Sequence, residues 1–182
     1  SPENIQKLDL IRINNLRLAG LSKDNAAAQI ETAPAILWLS YNVHGNEASS
    51  SEAFMLTIHA LVDPSNTQTK EWLKNTVVIL DPCINPDGRD RYINWYNSIV
   101  VTAYNPEPFS REHAEPWPGG RSNHYNFDLN RDWAWQTQVE SQQRLKKYRE
   151  WMPQIHVDYH EQGYNEPYYF APAAEPYHEV IT

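Results

Sequence analysis

Three short apolar runs, at 35–42 (AILWLSYN), 76–81 (TVVILD) and 155–160 (IHVDYH), are separated by stretches of helical length and pattern. That alternation restricts the fold more than any other feature of the chain. Apolar, β-branched runs of about four to eight residues suit strands buried on both faces, and long connections between them suit parallel pairing through crossovers. Helices are predicted over Ser49–Val62, where Ser49 and Glu52 are spaced as a capping box and apolar residues run nearly all round, and over 69–74. A polar amphipathic helix is predicted over 136–151, ended by Pro153. Ser1 and Pro2 open another, with Ile5, Leu8, Ile11 and Leu16 as its apolar positions. Residues 82–120 read as proline-rich loop, and 168–172 as a further strand. The expected fold is α/β: a three-layer α/β/α domain with a mostly parallel (mixed) central sheet and helices on both faces.

No repeat, low-complexity tract or linker divides the 182 residues, so the expectation is one domain. Fifteen Lys and Arg against 23 Asp and Glu leave a net charge of −8. That balance argues against sequence-independent binding of nucleic acid, which rests on basic side chains neutralising phosphates. The single cysteine, Cys83, excludes an internal disulfide framework and a cysteine-built metal cluster. No apolar run approaches the roughly 18 residues of a membrane-spanning helix. The first residue caps a helix, and Glu179-Val180-Ile181-Thr182 closes no element. Both ends lead us to expect a partial domain over 1–182. A sheet cut before its last strands leaves apolar edges and faces, and with them a tendency to self-associate.

In such sheets the working groups lie in loops beyond the carboxyl ends of the strands. Three segments occupy such places. In Asn42-Val43-His44-Gly45-Asn46-Glu47, the histidine and glutamate of an H-x-x-E pair can reach one metal ion across a turn. The plainer alternative is a locally bonded histidine, with Glu47 as a favourable charge at a helix start. In the second segment His156, Asp158 and His160 alternate along one strand face, and His160 is best placed at its carboxyl end. His156 reads better as a structural histidine. The third segment joins Asn85-Pro86-Asp87-Gly88, read as turn chemistry, to Asp128-Leu129-Asn130-Arg131, where Asn130 and Arg131 form a fork suited to a carboxylate. The aromatics Trp95, Tyr96, Tyr104, Phe109, Trp117, Trp133 and Trp135 suit loop packing or the wall of a cleft.

Taken in order, H-x-x-E (His44–Glu47), N-P-D-G (Asn85–Gly88), D-L-N-R (Asp128–Arg131) and D-Y-H (Asp158–His160) resemble the zinc carboxypeptidases of the M14 type over roughly residues 34–172. The resemblance implies one zinc ion held by His44, Glu47 and His160, with water in the fourth position. It implies that Asp128 orients His44, that Asn130 and Arg131 bind the C-terminal carboxylate of a peptide substrate, and that an arginine stabilises the oxyanion. Arg121 is taken for that role by its distance before D-L-N-R, with Arg91 as the rival. The family's general-base glutamate lies on a later strand, well beyond the third ligand, and only 22 residues follow His160. The expectation is therefore a complete metal site in a chain that is inactive alone. Glu161 is a poor substitute, since on a strand it would face away from His160. Resemblance also implies a secreted or periplasmic protein. Two other functions stay open: a zinc-dependent deacylase of N-acyl amino acids, and a non-enzymatic module gripping peptide or glycan. The latter expects that His44, Glu47 and His160 do not converge.

Overall fold

The computed structural model describes residues 1–101 and 105–163; Tyr104 and the strand expected over 168–172 lie outside them. Its centre is strand β1 (Ala35–Tyr41), flanked in parallel by β2 (Thr76–Asp81) and β3 (Ile155–Tyr159), in the order β2-β1-β3. The register sets Trp38 beside Ile79 and His156, and Ser40 beside Asp81 and Asp158. Successive side chains therefore point to two different helical layers. On one face Tyr41 stacks on Tyr159 with ring centres 4.5 Å apart and meets Phe54 of helix α3 (Ser49–Val62) edge-on. On the other, Trp38 and His156 lie against Tyr148 of helix α6 (Val139–Trp151). Helix α1 (Pro2–Ile5) is capped by the Ser1 side chain as expected, and α2 (Leu8–Leu18) packs on α6. There Asn15 donates to the Trp151 and Met152 carbonyls at 2.6 and 2.7 Å. Helices on both sides of a parallel sheet are the architecture the strand and helix pattern predicts.

Several local expectations differ from the structure. β1 is the buried strand; of β2 only Val77 is buried, because among the described residues β2 has one neighbour in the sheet. Helix α3 has the predicted bounds but is not buried all round: Met55, Leu56 and Val62 are 59, 74 and 70% exposed. Its capping box does not form. Ala48 is the N-cap without a side-chain bond, and the Ser49 N–H is instead met by the carboxylate of Glu161 at 2.5 Å. The predicted helix at 69–74 is α4 (Thr67–Trp72), started by an Asn66 cap. The largest omission is α5 (Pro86–Ile99), within the stretch read as loop. Asn-Pro-Asp-Gly is a helix start here: the Asn85 side chain accepts from the Gly88 N–H at 2.9 Å, and Pro86 occupies the first turn, where its missing N–H costs nothing. The α6 helix begins at Val139, not 136, because the Asp132 carboxylate takes the N–H groups of Thr137 and Gln138, each at 2.9 Å.

Candidate metal centre

Three loops meet at the carboxyl end of β1. Asn42, buried and in the left-handed region (φ 59°), turns the chain out of the strand and donates to the His44 and Glu47 carbonyls at 2.7 and 3.0 Å. Asn85, equally buried, donates to the Val43 carbonyl at 3.3 Å and the Arg121 carbonyl at 3.2 Å. Asn123 accepts from the N–H groups of Tyr125 and Phe127 and so folds the segment between Arg121 and Asp128. The loops approach so closely that a Cβ on Gly45 would run into the backbone of Gly88 and Arg89, and one on Gly88 into the Gly120 carbonyl. Glycine is required at both positions by space rather than by dihedral angle. Beneath them Val43, Ile84 and Leu129, one from each segment, form a buried apolar cluster.

On this frame His44, Glu47 and His160 come together, with one ligand atom from each within 4.8 Å of the others. Glu47 lies between the imidazoles: Oε1 is 2.7 Å from His44 Nδ1, and Oε2 is 3.1 Å from His160 Nδ1. The Glu161 N–H also donates to Oε2, at 2.8 Å. Burial pushes the Glu47 carboxyl up, but those hydrogen bonds and the two histidines outweigh it, and it lies below the ordinary glutamate range. His44 is almost wholly buried, and its second nitrogen, Nε2, faces Asp128 Oδ1 at 3.2 Å. Burial likewise pushes Asp128 up, while His44, Arg121 and the Asn130 N–H bring it below the usual aspartate range. Two imidazoles and a carboxylate, with one imidazole backed by a second carboxylate, are a donor set that suits zinc with a coordination position to spare. The convergence is the opposite of what a binding module without a metal expects.

The arginines sort themselves by contact. Arg121 pairs with Asp128 Oδ2 through Nε at 3.0 Å and Nη2 at 2.8 Å and keeps a half-exposed guanidinium beside the site. Arg91 is spent on the backbone, donating to the carbonyls of Gly119, Ser122 and Asn123 at 2.9–3.4 Å. Asn130 and Arg131 sit on the 3-10 turn Leu129–Arg131, next to Asp128; Arg131 is exposed, and its Nη1 reaches the Asn130 carbonyl. Glu161 has its carboxylate on the α3 N-terminus, away from a catalytic role. His156 is structural, as read: its Nε2 is 2.8 Å from Ser40 Oγ, and its ring touches Trp133 and Tyr148. Trp133 packs inside, whereas Trp117 and Trp135 are exposed. The loop-building roles of Asn42 and Asn123 are missed from the sequence, and Asn85 reads there only as part of a turn. Only Asn85, followed by proline, carried a local signal.

The sequence matches the family described as zinc carboxypeptidase, Peptidase_M14, over residues 8–158. That span is most of the chain, which belongs to this family of zinc-dependent hydrolases acting on peptides. The match holds His44, Glu47, Arg121, Asp128, Asn130 and Arg131, and stops two residues before His160. Neither the comparison with curated proteins nor that with solved structures gave a match. Among the described residues, no helix is long and apolar enough to cross a membrane.

Proposed function

We propose that this zinc carboxypeptidase family member is a partial catalytic domain that binds one zinc ion per chain through His44, Glu47 and His160 and serves the removal of C-terminal residues from peptides. The observation that carries this reading is the meeting of those three side chains beside a half-exposed arginine. When bound, zinc supplies Lewis acidity and a water made acidic enough to attack an amide at neutral pH.

The chain's own residues do the rest. Asp128 holds the His44 ring so that Nδ1 faces Glu47. Arg121 places positive charge where the scissile carbonyl oxygen becomes an oxyanion. Asn130 and Arg131 hold the substrate's terminal carboxylate, for which a guanidinium fork is the matching partner. Three carboxylates at the site have structural partners: Glu47 two imidazoles, Asp128 His44 and Arg121, Glu161 a helix end. The resemblance to the family implies that the general base is a glutamate on a later strand, beyond His160. Members of this family are often secreted, and the reading extends to a secreted or periplasmic protein with no nucleic-acid partner.

The test is substrate recognition by the zinc-loaded chain, followed calorimetrically. An N-blocked dipeptide with a free carboxylate should bind at least about tenfold tighter than its amide, a difference of about 1.4 kcal/mol. Arg131→Ala should erase that preference. Equal binding of acid and amide would overturn the carboxypeptidase reading, and selective binding of a simple N-acyl amino acid would favour a deacylase instead.

A further inference from the structure

Asp158 stands two residues before His160 and ends the polar row that Asp81, Ser40 and Asp158 form across the three strands. Its Oδ2 faces His160 Nε2 at 3.4 Å, on the opposite side of the ring from Nδ1, which faces Glu47. Its Oδ1 is buried and has no hydrogen-bond partner among the described residues.

We propose that Asp158 is the positioning residue of the third metal ligand: it accepts from His160 Nε2–H and thereby presents Nδ1 to the metal. This rests on the reading of His44, Glu47 and His160 as a zinc site. The arrangement repeats, on the other histidine, what Asp128 does for His44. Each carboxylate also has an arginine near it. Arg121 pairs with Asp128 directly, while Arg144 lies buried on the α6 side of the sheet, its guanidinium 3.5 Å above the Trp133 ring. The Arg144 nitrogens have no hydrogen-bond partner among the described residues, and Asp81, Asp158 and Asp132 are the acidic groups whose charge it feels. Histidine ligands generally donate their second N–H to an acceptor such as a carboxylate, and loss of the acceptor typically lowers metal affinity by about 10- to 100-fold.

The experiment is Co²⁺ and Zn²⁺ binding by the full chain, measured by chelator competition and by the visible absorption of bound Co²⁺. Asp158→Ala should weaken binding at least about tenfold and alter the Co²⁺ spectrum, while Asp158→Asn, which keeps an acceptor oxygen, recovers part of the loss. Asp81→Asn, in the same row but away from His160, should leave both readouts unchanged. A native chain that takes up no metal overturns the zinc reading and this proposal together. Metal uptake unaffected by Asp158→Ala overturns the proposal alone. A nitrogen-15 spectrum of the imidazoles in the native zinc-loaded chain decides the matter without any substitution. It should show His160 metal-bound at Nδ1 and protonated at Nε2, and binding through Nε2 would contradict the proposal.

Discussion

His44 and Asp128 are 84 residues apart in the chain, and Nε2 of the one faces Oδ1 of the other at 3.2 Å. With a metal bound, the Asp128 contact would keep the proton on Nε2 and leave Nδ1 as the nitrogen that coordinates beside Glu47. Replacing Asp128 by alanine removes the acceptor and turns the Arg121 ion pair loose. Zinc affinity, measured by chelator competition, should fall roughly 10- to 100-fold, with most of the fold intact. An unchanged affinity would separate Asp128 from the metal site.

The close approach of the loops sets a second expectation. Gly88→Ala places a methyl group against the Gly120 carbonyl and the Ser122 carbonyl, both backbone groups that cannot move aside cheaply. Denaturant unfolding should show a loss of about 1–3 kcal/mol or more. Alanine at Gly20, where φ is 70° but nothing lies within 4 Å, should cost only the smaller strain of its backbone conformation.

Arg91 and Arg121 should part company under substitution. Arg91→Met strips the donors from the Gly119, Ser122 and Asn123 carbonyls and should cost about 1.5–3 kcal/mol of stability. Arg121→Met removes an ion pair whose guanidinium is half exposed, so stability should change by no more than about 1 kcal/mol. Binding of a tetrahedral phosphinic mimic of the transition state should instead weaken roughly 100-fold. The reverse pattern would give the oxyanion role to Arg91.

His156 predicts a pH dependence. Burial pulls its imidazole below the ordinary histidine range; Asp158 opposes that shift and Arg144 adds to it. Because the folded value is the lower one, the unfolded chain binds the proton first as pH falls below about 6.5. Stability is thus fully present above that pH and is lost toward the lower folded value. His156→Gln should flatten the fall in unfolding midpoint between about pH 7 and pH 5 relative to the native chain. An identical slope in both would show that His156 is not a contributor.

Strand and helix periodicity was enough to read the sheet, its helical layers and the bounds of α3 and β2, since these depend on patterns within each segment. The site was legible as four short motifs, each weak alone. What escaped was chemistry whose partner lies far along the chain. The α3 N-terminus is met by Glu161, not by the nearby Ser49, and no local pattern announces a cap from 112 residues away. Asn-Pro-Asp-Gly is equally good as a turn and as a helix start; the choice was made by Asn85, whose side chain has the Val43 and Arg121 carbonyls to bind only once three loops have met. Burial of α3 was overread for a related reason: an apolar sequence shows what a helix is able to cover, not what stands opposite it.

The central claim is that His44, Glu47 and His160 hold one zinc ion, and elemental analysis tests it most directly. The chain would be stripped with chelator, reloaded with zinc and desalted, with His160→Ala treated alongside and both shown to be folded by circular dichroism. About one zinc per native chain and a loss of retained zinc in the variant are predicted, because two ligands cannot replace the three that a catalytic zinc site supplies. A folded native chain that retains no zinc, or a variant that retains as much as the native chain, would contradict the assignment.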